Sequence, residues 1–188
     1  MEYSELLRCR RSVREYQDRD VPLFLIREIL QDTCLAPSAM NGQPWRFVVV
    51  NSREWIKRLS DRSKQSLLEA LGENPASPLR RYEERLRDET FNVFYNAPCL
   101  VLIIGERNAP SLAVDCSLAA CYFMFAAAAR GLGTCWIGLG SSINDRETLD
   151  AIGIPEDCRI IAPVILGYPL SIPDPPEREA PDILRIVS

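Results

Sequence analysis

Four arginines and a hydroxyl fall within seven residues at Arg8-Cys9-Arg10-Arg11-Ser12-Val13-Arg14, in a chain of formal net charge −4. Guanidinium groups so close together repel unless water or an anion lies between them, and their planar fork suits a phosphate or carboxylate. The cluster reads either as a solvated basic helix end or as an anion grip. A second group of chemical interest is Ala36-Pro37-Ser38-Ala39-Met40-Asn41-Gly42-Gln43-Pro44-Trp45, where short hydroxyl and amide side chains sit on a turn held by two prolines. Such turns place donors and acceptors for a planar polar ligand, or simply connect a helix to a strand. The third is Gly131 to Ser142, in which Gly131 and Gly133 suit a helix end and Gly138 and Gly140 let a flat ring approach the main chain.

The same sequence closes off much other chemistry. It contains no histidine, so Ser-His-Asp and Cys-His triads, His-ligated metals and imidazole proton shuttles are excluded. Gly131-Leu132-Gly133 lacks the third glycine of a dinucleotide fingerprint, and no P-loop is present. The seven cysteines include no C-x-x-C pair, which argues against a zinc ribbon, an iron–sulfur cluster or a disulfide framework and for reduced, buried thiols. No metal site is expected. The acidic balance removes any global attraction to nucleic acid. The start of the chain lacks a basic, apolar leader, which leads to the expectation of a cytoplasmic protein.

The elements that must position these groups follow from pattern. A length of 188 residues suggests one domain, 1–188. Residues 2–9 form a short helix candidate, and Pro22 opens a second whose face carries Leu25, Ile29, Leu30 and Thr33 and which stops near Ala36-Pro37. Arg46 to Val50, Leu100 to Ile104 and Ile160 to Leu166 are short β-branched runs bounded by turn residues and read as buried strands, with Pro163 arguing against full pairing of the last. Helices are expected over Glu54 to Leu71 and Leu79 to Asn92, separated by residues 72–78. The second is dense in charge and reads as a solvated face, with an entrance wall as the alternative. Asp115 to Arg130 is a helix apolar on nearly all sides, too short at about 1.5 Å per residue to cross a bilayer core of about 30 Å. It calls for cover from a sheet or a second subunit, and a dimer supplies that most simply. The proline-rich residues 169–188 read as an extended arm. Together these features give an α+β domain with a mixed sheet.

Taken in order along the chain, the three groups resemble the FMN-dependent nitroreductase family. The resemblance rests on Arg10-Arg11-Ser12-Val13-Arg14, on Ala36 through Phe47, and on the alanine-rich helix running into Gly131-Leu132-Gly133 and Trp136-Ile137-Gly138. Ala97-Pro98 and Ile165-Leu166-Gly167-Tyr168-Pro169 are also similar to the family. Of these, Ala36 to Phe47 is the most specific. The resemblance implies a nitroreductase-like fold, with a mixed, mainly antiparallel central sheet flanked by helices, in an intertwined homodimer.

It further implies that Arg10, Arg11, Ser12 and Arg14 hold FMN, Arg10 toward the phosphate and Arg14 toward the N1/O2 edge of the ring. Pro37, Ser38, Ala39 and Asn41 are expected to come to the site from the other subunit, and Gln43 is expected among the cofactor-binding residues. Trp136, Ile137 and Gly138 are expected beside the ring, with main-chain N–H groups of Ile137 and Gly138 near flavin N5. Where the family often has Lys-x-Arg, this chain has Pro176-Glu177-Arg178-Glu179, so Arg178 is expected to complete the phosphate grip. No protein side chain is then catalytic in its own right, since the flavin carries the electrons and the missing histidines are no obstacle. The implied activity is ping-pong hydride transfer from NAD(P)H to a nitroaromatic, a quinone or a similar small-molecule acceptor, with no nucleic acid or membrane involved. Flavin reduction, reductive dehalogenation and non-catalytic flavin binding are the alternatives.

Overall fold

The computed structural model describes residues 2–74 and 76–187. Met1, Pro75 in the 72–78 connection and Ser188 at the end of the arm lie outside the described residues.

The centre is a four-stranded sheet of β1 (Arg46–Val50), β2 (Cys99–Glu106), β3 (Gly133–Trp136) and β4 (Cys158–Gly167), in the order β1-β2-β4-β3. Every neighbouring pair is antiparallel. The mixed sheet expected from sequence is therefore corrected among the described residues: the one parallel pairing is an isolated bridge from Ser12 to Thr134. That bridge matters below, because it fastens the arginine segment to the edge strand.

β2 is buried on both faces, and the alternation of side chains along a strand divides its residues between two cores. Leu100, Leu102 and Ile104 pack with α3 (Arg53–Glu73), while Cys99, Val101 and Ile103 pack with α2 (Leu23–Thr33) and α5 (Leu112–Ala129). Three layers result. By length and hydropathy α5 would pass for a membrane-crossing helix, but Asp115, Ala119, Phe123 and Ala127 are buried within this domain. Its composition reflects cover by the sheet on one side and by α2 on another. The remaining helices are α1 (Tyr3–Cys9), α4 (Glu83–Arg87) and α6 (Arg146–Ala151).

Pro163 sits opposite Leu102 in the β2–β4 register, next to an irregularity between Ile103 and Ile104. β3 stops pairing one residue away, at Val164. The disturbance expected from a residue with no N–H is thus absorbed by a local register shift.

The helix expected over Leu79 to Asn92 is not continuous. A 3-10 turn at Pro78–Tyr82 leads into the five-residue α4, and the chain then turns through 88–96. Two causes are visible. Lys64 of α3, mostly buried, donates to the carbonyls of Asp88 (3.1 Å) and Phe91 (2.9 Å). The Asp88 carboxylate accepts from the Thr90 N–H, and the Asn92 amide oxygen accepts from the Phe94 N–H. Side-chain bonds of this kind compete with helical ones and end the helix.

Candidate functional site

After α1 the chain runs extended through Arg10 to Tyr16. The Val13 N–H donates to the Thr134 carbonyl at 3.0 Å, and the Tyr16 hydroxyl donates back to the Val13 carbonyl at 2.8 Å. In extended backbone alternate side chains share a face, which sets Ser12 and Arg14 apart from Val13. Val13 packs directly on Gly133, where a Cβ would come within 2.7 Å of the Val13 Cβ. Glycine at 133 therefore lets the arginine segment lie against β3.

Two clefts open along this segment. The first, of about 200 Å3, is lined by Arg10, Arg11, Gly133 and Thr134. The Thr134 hydroxyl there is fully buried and has no hydrogen-bond partner, a costly state for a polar group unless a ligand or water completes it. The second cleft, of about 310 Å3, is lined on one side by Arg14, Trp136, Ile137 and Gly138 and on the other by Arg81, Tyr82 and Tyr95. None of Arg8, Arg10, Arg11 and Arg14 has a carboxylate partner among the described residues. Arg14 reaches the Ser12 carbonyl at 3.3 Å and stands 5.6 Å from the Tyr95 ring centroid.

Cys135 lies between these groups on β3. Burial pushes its thiol up from the usual range, while Arg14, the Ser12 hydroxyl and Arg10 pull the other way. Burial likewise raises the Tyr16 phenol, aided by Cys135 and opposed by Arg14. Both groups stay protonated at neutral pH, so the site's charge is that of its arginines.

Ile137 and Gly138 differ from expectation in one respect. The Ile137 N–H donates to the Pro163 carbonyl at 2.8 Å and is committed to β4. Gly138 opens the following 3-10 turn, and a Cβ added there would meet no protein atom within 4 Å. A flat ring can therefore come close to Gly138 on that side, while the Ile137 N–H is already bonded within the chain.

Pro37, Ser38, Ala39, Asn41 and Gln43 lie elsewhere, on the connection between α2 and β1, and line neither cleft. Met40, Asn41 and Gln43 have φ of 51°, 55° and 44°, a strained conformation for residues other than glycine. The buried Asp115 carboxylate holds the loop by accepting the Ala39 N–H at 3.1 Å, and the Ser38 hydroxyl accepts the Gln43 N–H at 3.0 Å. The loop is thus rigidly presented on the surface, with Met40 fully exposed. Arg178 lies in the exposed 169–187 arm, away from both clefts. Within one chain, then, the arginine segment and the 136–138 turn come together, while the 37–43 loop and Arg178 do not join them.

Thr134, Arg81, Tyr82 and Tyr95 were not singled out from sequence. Tyr95 and Asn96, with φ of 53° and 52°, form a tight turn before β2, and the only local signal was the polar Asn92 and Asn96 flanking two aromatics.

Cations without carboxylate partners, an orphaned hydroxyl and a glycine with open space beside it, in two clefts lined by successive parts of the 9–14 and 133–138 segments, suit an anionic group and a planar one. A family model described as the nitroreductase family matches residues 7–168, and the chain belongs to that family. It is 28% identical to a nitroreductase of Bacteroides fragilis whose crystal structure contains bound FMN, with a TM-score of 0.85 and 99% of each chain covered. It is 27% identical over 191 residues to a provisionally named NADH dehydrogenase/NAD(P)H nitroreductase of Methanothermobacter thermautotrophicus, covering 99% of this chain and 87% of that one. An iodotyrosine deiodinase of Thermotoga neapolitana is 29% identical over 169 residues, 88% of this chain and 87% of its own.

Proposed function

We propose that the protein is an FMN-dependent oxidoreductase that passes the two electrons of NAD(P)H to a nitroaromatic, a quinone or a similar small acceptor in ping-pong fashion. The observation that carries this reading is the row of carboxylate-free arginines beside the buried, unpartnered Thr134 hydroxyl, leading to the open space beside Gly138. Those residues fit the cofactor: guanidinium groups and a hydroxyl suit a phosphomonoester, and a glycine without neighbours suits a flat ring.

Arg10 and Arg11, with Thr134, would hold the phosphate end. Ser12 would accept or donate beside them, and Arg14 would set a permanent positive charge at the pyrimidine edge of the ring. When bound, FMN supplies a centre at N5 that takes hydride from one molecule and returns it to another. Arg14 would supply positive charge that favours an anionic reduced ring, and Trp136 and Tyr95, which line the same cleft, would pack beside it. A quinone acceptor takes two electrons and two protons and leaves as the hydroquinone; the donor leaves as NAD(P)+.

We further infer one FMN-binding domain over 1–188 that works as a homodimer. Separation of the strained 37–43 loop from the arginine clefts supports a site completed by Pro37, Ser38, Ala39, Asn41 and Gln43 of the partner subunit. Arg178 would complete the phosphate grip if the arm, whose Pro169 and Ile172 line the first cleft, brought it there. Heat release and mass analysis of the ligand from purified protein, followed by anaerobic stopped-flow mixing with NADH and NADPH, tests the reading. Bleaching of a yellow preparation by either donor is expected; a protein that takes up no FMN, or one that stays yellow with both donors, overturns it.

A further inference from the structure

The cleft beside Gly138 has a wall whose charge the electron-transfer reading leaves unused. Arg81 and Arg14 line it, and no aspartate or glutamate does. Along the Pro78–Arg87 stretch, Glu83 is gripped from both sides by Arg80 (3.1 Å) and Arg87 (2.9 Å). Arg81 is left without a carboxylate partner among the described residues, and its guanidinium lies over the Tyr82 ring, 4.9 Å from the centroid. Behind it Arg85 stacks on Phe91 at 4.2 Å and approaches Tyr95 at 5.7 Å, stiffening the turn that carries Tyr95. An acidic chain thus keeps a guanidinium without a carboxylate partner, stacked on Tyr82, in the lining of the cleft that also holds Gly138.

We propose that Arg81 selects the electron acceptor, and that the preferred acceptor is a single-ring aromatic compound carrying a carboxylate. This rests on the functional reading above, in which Arg14 serves the flavin and Arg81 remains for the substrate. A guanidinium forked onto a carboxylate gives orientation as well as affinity. Tyr82 and Tyr95 offer ring faces for the aromatic body, and the flavin ring placed beside Gly138 would itself take up part of the cleft's volume of about 310 Å3, which leaves room for a small body only. A free amino acid is a poorer fit, because its ammonium would find no acid on this wall. The diphosphate of the nicotinamide donor shares the anionic chemistry, so the test separates donor from acceptor.

The test compares 4-nitrobenzoate with its neutral counterpart 4-nitrobenzamide, using the FMN-loaded protein and its Arg81→Gln and Arg81→Lys variants. The wild type should favour the carboxylate in kcat/KM by about tenfold. That ratio should collapse toward one in Arg81→Gln and be partly kept in Arg81→Lys, which retains charge but not the fork. Calorimetric titration of 4-nitrobenzoate into the protein as purified should show Kd rising about tenfold in Arg81→Gln and rising with salt in the wild type. Equal use of the two nitroarenes by the wild type overturns the proposal. So does an Arg81→Gln variant that keeps the wild-type ratio while its KM for NAD(P)H rises, which assigns the residue to the donor. If NAD(P)H fails to reduce the protein, the electron-transfer reading falls by itself, and the calorimetric comparison still decides whether Arg81 holds a carboxylate.

Discussion

Arg10, Arg11 and Arg14 are charged at every accessible pH, and Cys135 between them is pushed up by burial rather than down. The pH dependence of cofactor binding should therefore belong to the ligand. A phosphomonoester loses its second negative charge as pH falls through about 6, which weakens its attraction to guanidinium groups. FMN affinity should fall below that pH and stay level above it, whereas riboflavin, which has no phosphate, should show no such fall; equilibrium dialysis of both ligands across the range checks this. Arg10→Ala should weaken FMN binding by about 1.5–3 kcal/mol, or roughly ten- to a hundredfold, because it removes one charge-assisted contact. Arg14→Ala should instead lower the midpoint potential of the bound flavin, read by redox titration, with a smaller loss of affinity. The arginine segment was legible in the sequence because four like charges in seven residues are anomalous in an acidic chain. Thr134 was not, since its significance lies in being buried without a hydrogen-bond partner, which only the fold shows. The Ile137 N–H could not be assigned for the same reason: only the fold shows that the Pro163 carbonyl takes it.

The elements that hold the site divide by how local their causes are. β1, β2 and β4 were readable because β-branched apolar runs between turn residues have one comfortable fate, burial in a sheet. β3 was not, since Gly133-Thr134-Cys135-Trp136 is four residues long, begins with glycine and is held by β4 on one edge and the arginine segment on the other. The broken helix after Leu79 has a distant cause too, the buried Lys64 on α3. Lys64→Met keeps the stem's packing but leaves the Asp88 and Phe91 carbonyls without their donor. These acceptors are only partly buried, so water can meet part of their need; urea denaturation should show a loss of about 1 kcal/mol, and the 88–96 turn should become more sensitive to limited proteolysis. If stability and cleavage are unchanged, the lysine is not what stops the helix. Gly133→Ala tests the other support. The added methyl meets the β-branched Val13 at under 3 Å, and neither backbone can retreat without breaking the Val13 to Thr134 hydrogen bond. Overpacking of about 1–3 kcal/mol is expected, together with weaker FMN binding than an exposed Gly72→Ala control, whose new methyl meets nothing.

At the scale of the molecule, the single chain exposes a row of apolar side chains on one helix. Val114, Leu118 and Tyr122 recur at four-residue spacing on α5, which places them on one helix face, and they are 64%, 37% and 40% exposed. A groove of about 450 Å3 beside them is lined by Tyr3, Leu35, Tyr122 and Phe125. The arm contributes Ile183, Leu184, Ile186 and Val187, all exposed, and touches its own chain near its start, where Leu170 and Ser171 bond Glu15. An apolar helix face of this kind is expected at an interface, and a second copy is its simplest cover. If the site is completed across that interface, dimerisation and cofactor binding are linked: FMN that binds only the dimer stabilises it by mass action. Leu118→Glu places a charge in the middle of the exposed face without touching either arginine cleft. Sedimentation velocity should show wild type as a dimer and the variant shifted toward monomer. FMN occupancy should fall with protein concentration in the variant and recover as concentration rises. Truncation after Pro173 should weaken the dimer by the same measurement and remove Arg178 with it. A wild-type monomer that binds FMN stoichiometrically would show that the 37–43 loop plays no part in the site.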